Sequence, residues 1–281
     1  MPKLTAHRYG KACIRVLKVL RDGASHRLKD IAVAALLEGD FTKSYTSGDN
    51  RKVVPTDTIK NTVNILAKQC LGDEIEPFAI ALGEHFLKEY EQVRQAKIEV
   101  EERYWRRMEF ENKPHPHSFR SGGESKMFTQ ITCGRGSRSV RSGVRDLFIL
   151  KSTGSGFENY PKDKFTTLPE TADRILASAF CATWTFQKLP TNCGTANETI
   201  LSSMLKVFAE NYSPSAQTTL FQMGEAALAA CAEISNIDLS MPNKHCLLID
   251  LSPFGLENKN EIFVPTDEPH GQIEASVARD E

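Results

Sequence analysis

The sequence predicts an α+β fold: antiparallel sheets with helices gathered on one face, in two tandem copies. Three observations carry that expectation. Long β-branched and aliphatic segments come in pairs, helical stripes sit between the pairs, and the second half repeats the element order of the first. The length agrees, since 281 residues at about 150 per domain give about 1.9 domains. The join is expected near residues 134–138, which gives domains 1–135 and 136–281.

In the first half, Arg8 to Leu20 and His26 to Phe41 read as strands joined by the hairpin signal Arg21-Asp-Gly-Ala-Ser25. Ile59, Val63, Leu66 and Cys70 recur at the spacing of an amphipathic helix, and Phe78, Leu82, Phe86 and Tyr90 mark a second one. Ala96 to Met108 and His117 to Cys133 read as two further strands, with Ser121-Gly-Gly-Glu-Ser125 as a loop signal. The order is thus β-β-α-α-β-β.

The second half follows the same order. Ser139 to Lys151 and Arg174 to Gln187 read as strands around the loop signal Ser152-Thr-Gly-Ser-Gly156. A helix is expected from about Asn197. Another is expected from Ser213-Pro214, a hydroxyl cap followed by proline at the first helical position. Asn236 to Leu251 and Glu261 to Pro265 close the pattern, and the polar residues from Thr266 onward suit a surface strand or tail. Open antiparallel sheets leave edges that invite pairing, so an oligomer that closes them is expected.

Composition removes several classes of function. Thirty-five Lys and Arg against 36 Asp and Glu leave a formal charge of −1, without the basic surface that a nucleic-acid or anionic-membrane binder needs. The longest strictly apolar run, Ile31 to Leu37, is far below the roughly 20 residues of a membrane span, and no secretory pattern follows the first methionine. A soluble intracellular protein is expected. The seven cysteines, at 13, 70, 133, 181, 193, 231 and 246, form no C-x-x-C pair and read as reduced, buried small hydrophobes. His115 and His117 in Lys113-Pro-His-Pro-His-Ser-Phe119 have the alternation for two ligands on one strand face, but no third ligand stands at a recognisable spacing. Gly134-Arg-Gly136 lacks the third glycine of a nucleotide fingerprint, and no phosphate loop is present.

Four segments place polar groups where packing does not ask for them. In Arg8-Tyr-Gly-Lys11, Lys11 is opposite in parity to Ala12, Ile14 and Val16 and is expected to point away from their apolar face. Thr56, followed by Asp57, reads as a helix cap whose free N–H groups attract anions. Phe157 follows a Ser/Gly loop, and Arg174 lies in an otherwise apolar run. Gln217 falls in a first helical turn, while Asn243 and His245 lie in a turn leading into a strand. Each of these alone also suits a purely structural role.

Taken together, the segments resemble one family. Arg8-Tyr-Gly-Lys11, Leu36-Leu-Glu-Gly39, Thr56-Asp-Thr-Ile-Lys-Asn-Thr62, Lys113-Pro-His-Pro-His-Ser-Phe119, Leu150-Lys-Ser-Thr153 and Pro242-Asn-Lys-His245 resemble urate oxidase, the uricase family, nearly end to end and in the family's order. The resemblance implies two tandem tunnelling-fold domains, a homotetramer around a central tunnel, and active sites at subunit interfaces. It implies that Lys11, Thr56 and His245 are catalytic. Arg174 and Gln217 would clamp the purine, Phe157 would stack on it, Asn243 would face the oxygen or water site, and Asp57 would contribute near urate through its backbone. Ala216 stands where valine is usual; its contact is expected through the backbone N–H. The C-terminal Ala278-Arg-Asp-Glu281 lacks the S-K-L peroxisomal address, so a bacterial-type cytoplasmic enzyme is expected.

The residue types suit that chemistry. Arginine's fork meets two acceptors of a planar anion, glutamine matches an N–H beside a carbonyl, and an aromatic face accepts a stacked ring. No metal or organic cofactor is expected, with dioxygen as co-substrate. A zinc-dependent relative of the same fold would need Cys/His ligation that the cysteine spacing does not offer, and a catalytically dead purine binder would bind urate without consuming oxygen.

Overall fold

Alternating burial builds the first sheet. Ile31, Val33, Ala35 and Leu37 on β2 (Arg27–Gly39) are each no more than 1% exposed, while the residues between them are half-buried. β2 pairs antiparallel with β1 (Tyr9–Leu20) on one side and β3 (Val93–Phe110) on the other, and β3 pairs with β4 (Lys113–Gly134). The computed structural model describes residues 2–21 and 23–280. The hairpin signal at 21–25 therefore has one residue, Asp22, outside the described residues, although the flanking Leu20 and Arg27 pair.

Two units divide the chain: Met1–Gly143 with Thr185–Thr195, and Val144–Trp184 with Ala196–Glu281. In the first, the strand order is β1-β2-β3-β4, an open sheet with β1 at its edge. A short helix, α1 (Thr42–Ser47), precedes α2 (Thr56–Cys70) and α3 (Ile75–Glu89). Ile59 and Val63 of the stripe read on α2 are buried, but Ala67 continues it, with Leu66 half-buried and Cys70 exposed; on α3 Phe78, Leu82 and Phe86 are buried and Tyr90, just past its end, is half-buried. β5 (Ser137–Lys151) has residues 137–143 in the first unit and 144–151 in the second.

In the second unit, β6 (Leu176–Phe186) neighbours β7 (Ile234–Ser240), which pairs antiparallel with β11 (Glu274–Ala278). The two residues of β8 (Asn243–Lys244) pair with β6, and β9 (Cys246–Leu248) pairs with β10 (Phe263–Pro265). Helices α4 (Cys193–Glu210) and α5 (Ala216–Ala230) fall between β6 and β7, as the repeat predicts. Trp184 is fully buried and its indole N–H donates to Asn197 Oδ1 at 3.0 Å, satisfying the one polar atom of the largest core side chain. The α+β class and the antiparallel sheets are borne out.

Several local expectations are corrected. The long strand read from Asn236 to Leu251 is broken after Ser240, where Pro242 interrupts it, into β7, β8 and β9. The residues Ser121–Ser125 are not a loop but a wide bulge inside β4: Arg103 faces Lys126 and Trp105 faces Ser121, so four residues oppose Tyr104 alone. All seven cysteines are free, but only Cys133, Cys193 and Cys231 are buried; Cys13 and Cys70 are exposed. No helix among the described residues is long and apolar enough to cross a membrane.

Candidate active site

A β-bulge sets the first group of residues. Lys11 faces Ala35 and Ile14 faces Val33, so Ala12 and Cys13 together oppose Ala34, with Cys13 in the left-handed region at φ 56°. Cross-strand partners share a face, and Ala35 and Val33 both face the helices. Lys11 therefore lies on the same face as Ile14 and Val16, not the opposite one; the inserted residue reverses the parity read from sequence. It stands at the exposed end of that face.

Helix α2 runs along the same face. Lys18 Nζ closes its C-terminus by donating to the carbonyls of Ala67, Lys68 and Leu71 at 2.8, 3.1 and 2.7 Å. Seven strand residues and fifteen helical ones each cover about 22 Å, so the helix that ends beside Lys18 begins beside Lys11. Thr56 and Asp57 open that helix and are exposed. The Asp57 carboxyl is held below the usual carboxylate range, first by a hydrogen bond from Lys60 and then by its charge, with smaller contributions from Asn61 and the positive charge of Lys11. Thr56 is not the cap: Pro55 holds that position, and no side chain caps the helix.

The second group is assembled by backbone hydrogen bonds in the second unit. Arg174 N–H donates to Ser155 O at 2.7 Å, and Phe157 and Thr171 exchange both bonds of a bridge at 2.7 and 3.1 Å. Gly156 N–H donates to Ser213 O at 2.8 Å, and Ser213 N–H to Gly154 O at 2.9 Å. Three segments, 154–157, 171–174 and 213–217, thereby become one platform. Gly156 is required there, since a Cβ would lie 2.2 Å from the Tyr212 hydroxyl and 2.9 Å from Thr171 O.

On that platform the Arg174 guanidinium lies 5.7 Å from the centre of the Phe157 ring. Phe157 stacks in turn on Tyr160, with centroids 4.8 Å apart and planes 12° apart. Burial lowers the Arg174 pKa, and its Nε is buried without a hydrogen-bond partner among the described residues. A buried donor left open in this way suits an acceptor that the protein itself does not supply. Arg174 precedes β6 by two residues rather than lying within a strand.

Gln217 is exposed in the first turn of α5, and Ala216 is 3% exposed. The cap is Ser215, whose side chain accepts from Thr218 N–H at 3.1 Å; the Ser213-Pro214 start read from sequence is two residues early. Asn243 is buried, pairs with Ser178 and donates its N–H to Gly271 O at 2.7 Å. The pairing of β8 with Ala177 and Ser178 brings Asn243 and the half-buried His245 alongside the start of β6, next to Arg174 in sequence. The His245 carbonyl accepts from Thr266 N–H at 2.8 Å.

Two contributors were missed. Asp173 accepts from the Thr153 hydroxyl at 2.9 Å and from Gly154 N–H at 2.8 Å, which ties the loop before Phe157 to the residue before Arg174. Tyr9 is the other: its Oη accepts from the Val54 N–H at 2.7 Å, two residues before Thr56, and its place in Arg8-Tyr-Gly-Lys11 is the signal that the sequence offers. The His115 and His117 rings lie 4.6 Å apart, with His26 6.2 Å from His117. No group of three or more His, Cys, Asp or Glu among the described residues is arranged to hold a metal ion.

Fold and site define a tandem α+β protein whose second unit presents a half-buried arginine beside an aromatic face. The sequence model of the uricase family matches residues 7–132 and 140–274. The uricase of Arthrobacter globiformis is 39% identical over 99% of this chain and 90% of its own length, and that of Dictyostelium discoideum 38% over 99% and 98%. The crystal structure of the Arthrobacter globiformis uricase matches at a TM-score of 0.94 and 37% identity, covering 100% of this chain and 96% of that one. The urate oxidase of Bacillus sp. TB-90, at 20% identity and a TM-score of 0.86, shares the fold. The chain belongs to the uricase family of urate oxidases.

Proposed function

We propose that the chain oxidises urate with dioxygen and water to 5-hydroxyisourate and hydrogen peroxide, without metal or organic cofactor, as the family resemblance in its sequence implies. The observation that carries the reading is the platform that holds Arg174 against Phe157 with an open, buried guanidinium donor. Urate is planar and anionic. Arg174 and Gln217 would clamp its edge, Phe157 would take its face, Asp57 and Ala216 would offer backbone contacts, and Asn243 would face the oxygen or water position.

In this reading urate itself supplies the electrons. The urate dianion passes two electrons to dioxygen, two protons complete hydrogen peroxide, and the dehydrourate left behind adds water at the oxidised carbon. Lys11 serves as the base, the Thr56 hydroxyl both donates and accepts in relay, and the His245 imidazole returns the proton. Lys11, Thr56 and Asp57 are carried by the first unit and the purine clamp by the second.

The finer assembly belongs to the same proposal: two repeats, 1–135 and 136–281, a homotetramer, active sites at subunit interfaces, and a cytoplasmic setting. Supporting a partner copy, Tyr104 and Phe110 on β3 are 60% and 62% exposed, and Phe148 on β5 is 61% exposed. Turnover in 18O-labelled water tests the chemistry. The label is expected in the hydroxyl of the product and absent from the peroxide; label in the peroxide would contradict the route.

A further inference from the structure

We infer that Tyr9 is a positioning residue for urate oxidation, its hydroxyl fixing Thr56 relative to Lys11; this rests on the proposed roles of those two residues. Tyr9 precedes Lys11 by two residues in β1, and its Oη accepts a hydrogen bond from the Val54 N–H at 2.7 Å. Val54 in turn precedes Thr56 by two residues. The path from base to relay hydroxyl is therefore six residues, Lys11, Gly10, Tyr9, Val54, Pro55 and Thr56, closed by one hydrogen bond.

The three middle links of that path, Gly10, Tyr9 and Val54, are tightly placed. The Tyr9 ring meets Phe41 edge-on, with centroids 4.8 Å apart and planes at 89°. Gly10 lets β1 lie against β2 so closely that a Cβ there would fall 1.9 Å from Ala35 O. Val54 is 1% exposed. Nothing caps α2 from a side chain, so the segment leading into Thr56 depends on its flanking bonds: Val53 N–H to Asn50 O at 3.0 Å, Gln92 Nε2 to Lys52 O at 2.8 Å, and the Tyr9 bond nearest to Thr56. Burial raises the phenol pKa, which keeps the oxygen neutral and protonated while it accepts from Val54. A misplacement of about 1 Å in a reacting group costs on the order of a hundredfold in rate, so one hydrogen bond at this point has leverage.

The test compares Tyr9→Phe with Tyr9→Leu in the full enzyme. Phe keeps the ring against Phe41 and removes only the acceptor oxygen. The inference expects Tyr9→Phe to melt close to the parent, to keep its urate KM within about twofold, and to lose at least about tenfold in kcat. Tyr9→Leu should be as slow as Tyr9→Phe. Recovery of full kcat in Tyr9→Phe would mean that the ring only packs and would overturn the inference. Val54→Pro removes the donor from the other side; it should match the loss, and the double variant with Tyr9→Phe should add nothing further. Full kcat in a folded Val54→Pro would also overturn it. Thr56→Ala separates the two readings: if it alone retains full kcat, the relay role of Thr56 fails, whereas a slow Thr56→Ala beside a fast Tyr9→Phe sinks only the positioning role.

Discussion

The two groups of site residues are held in opposite ways. Arg174, Phe157 and the start of α5 sit on a platform of backbone hydrogen bonds, in which residues 154–157 are tied both to 171–174 and to Ser213. Lys11 and Thr56 are exposed side chains at irregularities, one beside a bulge with a left-handed residue and one at a helix start with no side-chain cap. A rigid flat ring is best recognised by a framework that does not shift. Proton transfer instead needs one nitrogen and one oxygen at the right spot, and a bulge that reverses parity can put a lysine where regular pairing would not.

Substitutions separate the two groups. The largest effect is expected at Lys11: replacement by Met should lower kcat about a thousandfold with little change in KM, because it removes the proposed base and leaves the proposed clamp intact. Steady-state kinetics on urate check this. Arg174→Lys comes next, with a fall of about a hundredfold in kcat/KM carried mainly by KM, since lysine cannot reproduce the two-point contact. A kcat effect at Arg174 and a KM effect at Lys11 would reverse the assignment.

Asp173→Ala should raise KM about tenfold by loosening the tie between Gly154 and Arg174. That tie also has a pH signature. The Thr153 hydroxyl and then the Gly154 N–H hold the Asp173 carboxyl below its ordinary value, so its contribution is present above the unfolded carboxylate pKa of about 3.9 and is lost as pH falls through the folded value. Amide protection factors in the segment from Gly154 to Arg174 should stay constant from about pH 5 upward and fall only below about pH 4. The smallest effect is expected for Ala216→Val, with urate KM unchanged within about twofold, because the contact proposed there uses the backbone N–H.

Much of this was legible in the sequence. Ile59 and Val63, and Phe78, Leu82 and Phe86, face inward as their spacing predicts, whereas Leu66 is half-buried and Cys70 exposed because Ala67 carries the buried side of α2 instead. Phe157, Arg174 and Gln217 also stand out in the sequence, but the hydrogen bonds that join their segments run between backbone atoms and leave no mark in residue identity. The side of Lys11 was misread for a definite reason: Cys13 adopts a left-handed conformation that composition does not reveal, and one inserted residue turns every earlier side chain to the other face. Thr56 and Ser213 are good cap types, yet Pro55 and Ser215 hold the cap positions, because tertiary bonds decide where each helix begins. The exposure of Cys13 and Cys70 follows from the same limits: one sits in the bulge and the other ends α2.

In the proposed reaction urate alone reduces dioxygen while this chain moves the protons. Simultaneous recording of oxygen uptake and the ultraviolet decay of urate, with and without a strong chelator, tests this. One dioxygen consumed per urate and an identical rate after chelation are expected. Urate bound without oxygen uptake, or turnover abolished by the chelator, would contradict it.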